Sequence, residues 1–425
     1  MEVPGGQSQR PMALARCEGG RSTRERHGGR TARRRRMSVT GLWTEAAETL
    51  ADNVTARAPE WHRAVSETPR HLLVPRWWER IPNSPAEAWE LISHAEHAPA
   101  RIGRVYSDQT LVTRVGPRHA DHARPDDRAT GSPTSSSTLP GLIVSMAHRL
   151  AAEPGHRVLD VGTGSGYALA LLAHRLGDHQ VTSVDVDPYL VEAARDRLAA
   201  FGRTPRIEAI DATGDLPDAA YDRIMATVSV RPVPETWLGA LRPGGRLVTT
   251  IAHTALLIVA DMGADGIARG RVQPDPATFM EARQEADYPP KLNDVFAVAR
   301  EGDGEQVRAA DGPVPDLWQA WPLRWLYELD TPGVETRAAT MPDGRRVLWL
   351  LASDGSWARA EAGGPGCAIG TIHQSGTRRL YDDLERVRHA WEEGNRFPLH
   401  DLTVELAPDN GGILTAPDGK WTLHI

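Results

Sequence analysis

The sequence has few cysteines and no long hydrophobic run, and both shortages exclude classes of protein. Its only cysteines, Cys17 and Cys367, lie far apart and predict neither a disulfide framework nor a metal site. No apolar segment approaches the roughly 18 residues of a membrane span, and no apolar region typical of a secretory signal is present. We therefore expect a cytoplasmic protein without a bound metal and without membrane association.

The composition is that of a globular protein. Hydrophobic residues make up 40% of the 425 residues and charged residues 25%, and this length is enough for two domains with substantial cores. His71, His253 and His373 each stand alone in the sequence, without partners at metal-ligand spacing, and we interpret them as structural.

The charge is distributed unevenly along the chain. Residues 1–36 carry a net charge of +7, which leaves −14 for the remainder of a chain whose total is −7. The run Arg33–Arg36 could indicate a nucleic-acid-binding arm. The segment is rich in Gly, Arg and Ser and has no apolar periodicity, which favours an upstream start with the true start near Met37. A disordered arm or a targeting segment are the alternatives, and no nucleic-acid partner is predicted.

A glycine-rich segment carries the strongest functional signal. The short apolar run Val158-Leu159 predicts a strand buried on both faces, and residues 167–176 are rich in helix formers with one apolar stripe. Gly162, Gly164 and Gly166 separate the two, and glycines allow a sharp turn and a close approach of a ligand to the backbone. The N–H groups at the helix start can then face that ligand.

The glycine spacing of this segment differs from that of a dinucleotide-binding fingerprint. The order Asp-x-Gly-x-Gly-x-Gly, beginning at Asp160, brings the third glycine one residue early for a pyrophosphate site. Asp185 ends the next predicted strand, where an acidic side chain can accept hydrogen bonds from ribose hydroxyls. The spacing resembles motif I of the class I S-adenosylmethionine-dependent methyltransferases, which implies S-adenosyl-L-methionine as the cofactor.

Alternating strand and helix patterns predict an α/β fold with a Rossmann-like doubly wound sheet and a smaller C-terminal α+β domain. The predicted regions are 1–36, an Arg-rich extension; 37–139, a helical and loop region on the substrate side; 140–300, the cofactor-binding core; and 312–425, the accessory domain. Helices are expected at 40–57, 140–151 and 379–395. Residues 113–137, rich in Pro, Gly and charged residues, predict a mobile loop, and Phe296–Ala299 a last strand.

The C-terminal region is rich in tryptophan and in strand signals. Ser353-Asp-Gly355 separates two apolar runs and predicts a hairpin, and residues 402–406 and 421–425 predict strands. We interpret most of the tryptophans there, and Trp77-Trp78, as core residues. A surface that binds a leader or folded peptide is the second hypothesis for the C-terminal tryptophans, and a peptide groove is the second for Trp77-Trp78.

The run Thr134-Ser-Ser-Ser-Thr138-Leu-Pro140, just before the helix that leads into motif I, resembles a motif of the protein-L-isoaspartate O-methyltransferase family. Further similar elements are His71-Leu-Leu-Val-Pro75, Val105-Tyr-Ser-Asp108 and the run that begins at Ala226. The resemblance covers residues 40–300. It implies a S-adenosylmethionine-dependent enzyme that methylates a carboxyl group of an aspartate or isoaspartate in a peptide or protein.

The resemblance assigns roles to individual residues. Thr138 lies where the family has its active-site serine and Ser136 where it has a threonine, and Ser137 lies between them. The implied cofactor-binding residues follow motif I, the acidic strand end and the adenine-side pair, in which Ala replaces Gly: Asp160, Gly162, Thr163, Gly164, Ser165, Gly166, Asp185, Val186, Asp211 and Ala212. No metal is implied, because an ionised carboxylate needs neither a base nor a metal to accept a methyl group.

The sequence departs from the family pattern in its hydroxyl run, in a longer preceding loop and in the added C-terminal region. Such extended forms resemble homologues associated with ribosomally made peptides (lanthipeptides, lasso peptides and ATP-grasp-modified peptides). Those esterify an aspartate whose ester closes to an aspartimide. The resemblance thus favours peptide maturation, with precursor recognition by the C-terminal domain.

Other functions remain open. They are general isoaspartate repair, methylation of a small molecule, and a non-catalytic module that binds the cofactor. Residues 134–138 could also serve only as a helix N-cap cluster, although one cap does not explain five hydroxyls in a row.

Overall fold

A mixed ten-stranded sheet organises the molecule. The computed structural model describes residues 39–82, 84, 88–93, 99–282, 292–362, 370–408 and 411–425, and residues 39–425 group as one compact unit. Residues 1–36, which the sequence analysis interprets as an Arg-rich extension, lie outside the described residues.

The N-terminal region combines short helices with a small antiparallel sheet of order β4-β3-β1-β2-β5, in which β6 pairs with β3. Trp77 and Trp78 are fully buried, which confirms their interpretation as core residues. The elements are α1 (Val39–Val54), α2 (His62–Glu67), α3 (Arg70–Leu73), β1 (Arg76–Arg80), β2 (Ala88–Ser93), α4 (Pro99–Val105), β3 (Leu111–Val115), β4 (Arg118–His119), β5 (Arg128–Thr130) and β6 (Pro133–Ser137).

The prediction of a mobile loop at 113–137 is wrong, because this stretch contributes to β3 and contains β4 to β6. Two of its threonine side chains are hydrogen-bonded within the stretch. The hydroxyl of Thr113 donates to Ser135 Oγ at 3.1 Å, and that of Thr134 donates to the Gly116 carbonyl at 2.7 Å. A polar segment can therefore form buried strands without the apolar alternation on which the sequence prediction relied.

The central sheet begins with five parallel strands in the order β9-β8-β7-β10-β11. The predicted helices at 140–151 and 167–176 are confirmed, the first with Pro140 in its opening turn. The elements are α5 (Pro140–Leu150), β7 (Val158–Val161), α6 (Tyr167–Leu176), β8 (Val181–Asp185), α7 (Pro188–Ala199), β9 (Arg206–Ala209), β10 (Tyr221–Val230), α8 (Glu235–Ala240) and β11 (Leu241–Ile251).

The second half of the sheet is antiparallel and takes strands from two distant parts of the chain. β12 (Leu257–Met262) and β13 (Ala268–Val272) follow β11, and β13 then pairs with β19 (Thr403–Ala407), followed by β20 (Gly411–Thr415) and β21 (Thr422–His424). Strands of the predicted accessory domain thus extend the sheet of the core. The domain boundaries themselves stay predictions.

A second, five-stranded antiparallel sheet has the order β14-β18-β17-β16-β15. The predicted hairpin is confirmed, and the helix predicted at 379–395 is α11. The elements are α9 (Asn293–Glu301), β14 (Gln306–Ala309), α10 (Trp321–Asp330), β15 (Val334–Thr340), β16 (Arg346–Ala352), β17 (Trp357–Glu361), β18 (Thr371–Ser375) and α11 (Leu380–Glu393).

The strand expected at Phe296–Ala299 is instead part of α9. Phe296 packs against Trp349 with ring centroids 5.3 Å apart, and Ala299, three residues later, is fully buried. That spacing places both on one face of a helix. A short apolar run fits a strand or a helix equally well, and here packing against the sheet selects the helix. Trp349 and Trp357 are buried as expected, whereas Trp318 and Trp321 are more than 40% exposed.

Candidate functional site

A cavity of about 990 Å³ opens at the carboxyl ends of the parallel strands. Its walls are the glycine turn after β7, the end of β8, strand β6 with the residues that follow it, and the segment 276–282. Open parallel sheets bind ligands at this edge, where the strand order reverses on either side of the first strand. The volume lies at the upper end of the range for cofactor and ligand pockets, which leaves room for an acceptor beside a nucleoside.

The glycine turn is shaped by contacts that a side chain would disturb. Gly162, Gly164 and Gly166 all have positive φ, of 97°, 51° and 81°. A Cβ on Gly162 would lie 3.0 Å from both Thr227 Oγ1 and Val228 Cγ1, tighter than ordinary contact. Gly162 and Gly164 line the cavity, whereas Gly166 packs towards Ala194 on α7 and does not. The turn therefore forms a backbone cradle on the cavity side.

Asp160 lies behind this cradle rather than in the cavity wall. It is fully buried, accepts a hydrogen bond from Ser183 Oγ at 2.7 Å, and has no hydrogen-bond partner for its second carboxylate oxygen. Burial is the main cause that raises the pKa of Asp160 to about 7. Its unpaired oxygen is the kind of buried acceptor that a cationic group nearby would satisfy.

Asp185 stands at the end of β8, held by two backbone amides. The amide of Gly164 donates to one carboxylate oxygen at 2.9 Å and that of Asp187 to the other at 3.0 Å. Burial is the main cause that raises the pKa of Asp185. Each oxygen retains acceptor capacity for hydroxyl donors, as ribose recognition requires. Asp187 in turn caps α7 and pairs with Arg114 from β3, at 3.1 Å between nitrogen and oxygen.

The predicted adenine side is organised by a turn after β9. Asp211 accepts hydrogen bonds from the amide and the hydroxyl of Thr213, at 2.9 and 2.7 Å. The indole of the buried Trp237 donates to the Ala212 carbonyl at 2.7 Å. Asp211, Ala212 and Trp237 line the cavity together with Val186, which is 45% exposed. These contacts hold apolar side chains beside the Asp211 carboxylate, and an adenine ring needs both an apolar surface and a polar partner.

The predicted acceptor residues end β6 and continue beyond it. Ser136, Ser137 and Thr138 all line the cavity, and the Ser136 carbonyl lies 3.5 Å from where a Cβ on Gly164 would stand. Ser137 is 1% exposed and its hydroxyl has no hydrogen-bond partner. The structure thus brings the hydroxyl segment against the glycine turn. All of the predicted site residues except Asp160 and Gly166 line this one cavity, and the role of each residue stays a prediction.

The sequence analysis missed Arg70, which holds the hydroxyl segment from behind. Its buried guanidinium donates to the carbonyls of Ser137 and Thr138 at 3.4 and 3.2 Å, and to the Val105 carbonyl at 2.7 Å. Burial lowers the pKa of Arg70 to about 10, so the group remains charged at neutral pH. Arg70 directly precedes the element His71–Pro75 that resembles the family, so the signal stood one residue upstream.

Other residues of the walls carried weaker signals. Tyr167 lines the cavity with a buried hydroxyl that has no hydrogen-bond partner, and its ring lies under the Arg70 guanidinium, 5.2 Å from the ring centroid. Thr227 Oγ1 donates to the Gly162 carbonyl at 2.9 Å. Segment 276–282 has no motif in the sequence, and only the fold brings it to the site.

Within the described part of the chain, no group of three or more His, Cys, Asp or Glu side chains is arranged to hold a metal ion. A search of the same residues finds no helix with the length and apolar character needed to cross a membrane.

Comparison with known proteins agrees with this geometry. Residues 125–269 match the family model described as protein-L-isoaspartate(D-aspartate) O-methyltransferase. A protein-L-isoaspartate O-methyltransferase of Aeropyrum pernix is 36% identical over 214 residues, which is 49% of this chain and 66% of the relative. One from Methanopyrus kandleri is 37% identical over 140 residues, 32% of this chain and 62% of the relative. The chain thus spans less than two thirds of the length of such relatives.

Solved structures include a protein-L-isoaspartate O-methyltransferase with 18% identity and a TM-score of 0.48, covering 88% of this chain and 99% of that chain. Another is a putative enzyme of this name from Plasmodium falciparum in complex with S-adenosyl-L-homocysteine, with 15% identity and a TM-score of 0.40, covering 56% of this chain and 99% of that chain. The predicted α/β fold class is confirmed by the sheet order and the alternation of strands and helices. Over residues 125–269 the chain is similar to the protein-L-isoaspartate(D-aspartate) O-methyltransferase family.

Proposed function

We propose that this protein is a S-adenosylmethionine-dependent carboxyl O-methyltransferase that acts on an aspartate or isoaspartate of a peptide or protein. The observation that carries the proposal is the hydroxyl segment Ser136–Thr138 facing the glycine turn across one cavity. Proteins similar to residues 125–269 bear the name protein-L-isoaspartate O-methyltransferase, which supports the same acceptor class.

The residues suit this cofactor. Asp185 would hold the ribose, Val186 and Ala212 would flank the adenine, and the turn at Gly162–Gly164 would accommodate the methionine end. When bound, S-adenosylmethionine supplies an electrophilic methyl group, so that the acceptor carboxylate becomes a methyl ester while the carbon–sulfur bond breaks. Gly162 and Gly164 support this assignment because both line the cavity without a Cβ, so the methionine end can approach their backbone closely.

The protein's own part in the reaction is to position the acceptor. The carboxylate is ionised at neutral pH, so the hydroxyls of Ser136 and Thr138 need only hold its oxygens in line with the methyl group. Ser137, whose buried hydroxyl has no partner, offers a further donor. The buried positive charge of Arg70, hydrogen-bonded to the carbonyls of Ser137 and Thr138, would favour an anion at this wall.

The finer proposal is that the acceptor belongs to a ribosomally made peptide and that the ester closes to an aspartimide. In that step the neighbouring peptide nitrogen attacks the ester carbonyl, its proton is lost, and methanol leaves. The extensive C-terminal region, which the family match at 125–269 does not include, supports this reading, with precursor recognition as its role. General repair of isoaspartate is the alternative. A cytoplasmic location stays a prediction.

The test is methyl transfer to two acceptors, read by mass. The full chain is incubated with S-adenosylmethionine and either a set of unmodified isoaspartyl peptides of varied sequence or a constrained, enzyme-modified peptide that contains aspartate. Gain of a methyl group, or loss of water, on the constrained peptide alone supports peptide maturation. Methylation of the varied isoaspartyl peptides supports repair, and no transfer to either acceptor contradicts the proposal.

Variants at Thr138 test whether the hydroxyl segment holds the acceptor. Thr138→Val removes the hydroxyl and keeps the shape, and we expect kcat/KM for the acceptor to fall about tenfold. Thr138→Ser is the matched control, which keeps the hydroxyl and should retain most activity. Equal activity of both variants would show that Thr138 does not hold the acceptor.

A further inference from the structure

The last residues of strand β10 (Tyr221–Val230) form part of the cavity wall and contact the glycine turn. Thr227 and Val228 line the cavity, and the hydroxyl of Thr227 donates to the Gly162 carbonyl at 2.9 Å. The position of this strand end therefore shapes the site beside the glycine turn.

The same end of β10 is hydrogen-bonded to the far wall of the cavity. The amide of Ser229 donates to the Met280 carbonyl at 2.9 Å, and the amide of Ala282 donates to the Ser229 carbonyl at 2.8 Å. The Ser229 hydroxyl donates to the Phe279 carbonyl at 3.0 Å. Segment 279–282 lines the cavity, and these three hydrogen bonds hold it against the end of β10 that carries Ser229.

Arg231, the first residue after β10, connects this strand end to the C-terminal region. Its guanidinium donates to the carbonyls of Glu328 and Leu329, in the last turn of α10, at 2.9 and 2.5 Å, and to the His424 carbonyl in β21 at 2.9 Å. The last carbonyls of a helix have no partner within it, and a cation at that end is also favoured by the helix dipole. The half-buried Arg231 thus satisfies three acceptors from two elements of the C-terminal region.

From this chain of contacts we infer that Arg231 is a positioning residue through which the C-terminal region shapes the acceptor side of the cavity. The path runs from α10 and β21 through Arg231 to Ser229, and from there to the wall at 279–282. The C-terminal region then contributes to methyl transfer even where it does not touch the peptide. The inference concerns the acceptor side of the proposed function and rests on it for the catalytic readout.

Substitution of Arg231 separates this role from general stabilisation. Arg231→Ala should raise the KM for the acceptor peptide about tenfold and change the Kd for S-adenosylhomocysteine by less than about threefold, because the glycine turn and Asp185 remain in place. Arg231→Lys keeps the charge but not the fork of donors, so we expect partial recovery.

Arg386→Ala is the matched control. Arg386 lies on α11 and pairs with Asp330 at the end of α10, at 2.6 Å, so its loss disturbs the same helix but leaves the contacts of Arg231 and of the end of β10 in place. We expect Arg386→Ala to keep the wild-type KM. An unchanged KM in Arg231→Ala, or an equal rise in Arg386→Ala, would overturn the inference.

Hydrogen exchange tests the positioning role of Arg231 without a catalytic readout. In the S-adenosylhomocysteine-bound full chain, Arg231→Ala should speed exchange of the Ser229 and Ala282 amides while β7 and β8 stay protected. A uniform increase over the chain, or no change at these two amides, would overturn the inference. Failure of the wild type to methylate any aspartyl or isoaspartyl peptide would instead contradict the proposed function, and the exchange result would still stand.

Discussion

The two halves of the ten-stranded sheet differ in what their strand directions permit. In the parallel half, β7, β8 and β10 all run towards one edge, and this places Gly162, Asp185 and Thr227 around a single cavity. In the antiparallel half, from β12 to β21, successive strands end at opposite edges. Parallel pairing thus concentrates side chains with chemical roles, whereas the antiparallel half joins distant parts of the chain.

The burial patterns of the halves differ for the same reason. All four residues of β7 are buried, as in a sheet covered on both faces, whereas β19 and β20 alternate between buried and more exposed positions. The apolar core nevertheless continues across both halves, since Leu247 of β11 and Leu406 of β19 belong to one cluster. Stability is therefore shared between the halves, and cofactor binding is expected to depend on one of them.

The largest effect should come from truncating one buried leucine in each half. Leu159→Ala in β7 and Leu414→Ala in β20 both remove a fully buried side chain, and each should lower the free energy of unfolding by about 2–5 kcal/mol. Only Leu159→Ala should also weaken S-adenosylhomocysteine binding, because Leu159 adjoins Asp160. Urea unfolding and calorimetry measure both quantities. Equal loss of affinity in the two variants would contradict the division of roles.

The next effect concerns the pH dependence of stability in the parallel half. The pKa of Asp160 is higher in the folded protein than in the unfolded chain, so this group favours folding most below about pH 4. That contribution is lost as the pH rises through about 7, and it amounts to at most about 4 kcal/mol since one pKa unit corresponds to about 1.4 kcal/mol.

Asp160→Asn removes this titration while it keeps an acceptor for Ser183. We expect the ligand-free wild type to lose stability relative to Asp160→Asn between pH 5 and pH 8, as measured by urea unfolding at each pH. A constant difference between the two proteins would show that Asp160 does not titrate in this range.

Asp185→Asn tests the ribose contact. The variant keeps the shape and loses the charge, and the loss of a charge-assisted hydrogen bond corresponds to about 2 kcal/mol, or roughly a thirtyfold higher Kd for S-adenosylhomocysteine. The exposed Asp215, in the turn after Asp211, provides the control, and Asp215→Asn should bind as the wild type does. Unchanged affinity in Asp185→Asn would remove Asp185 from the cofactor site.

A smaller effect is expected from Gly162→Ala, which should raise the same Kd about tenfold because its Cβ would crowd Thr227 and Val228. Gly202→Ala is the control, since Gly202 also has a positive φ, of 80°, but has open space around its Cβ position. It should cost about 1 kcal/mol of stability and leave binding unchanged. If both variants bound normally, crowding at the turn would not matter for the cofactor.

The sequence was sufficient to predict those parts whose local pattern is compatible with only one kind of structure. The apolar run at 158–159, the glycines and the helix at 167–176 predicted the cofactor edge, because few structures other than a strand, turn and helix fit that order. The polar strands within 113–137 and the helix at α9 were predicted wrongly. Their structure depends on partners such as Ser135 and Trp349 that local pattern does not reveal.

The sequence by itself determined the parallel half, its glycine turn and the residue types of the cofactor site, because these follow from periodicity, glycine conformation and charge at fixed spacing. Only the tertiary structure decided that Arg70 supports the hydroxyl segment, that segment 276–282 closes the cavity, and that Arg231 meets α10 and β21. These contacts join residues far apart along the chain. Their partners are selected by packing and by the need to satisfy buried carbonyls, which no local pattern records.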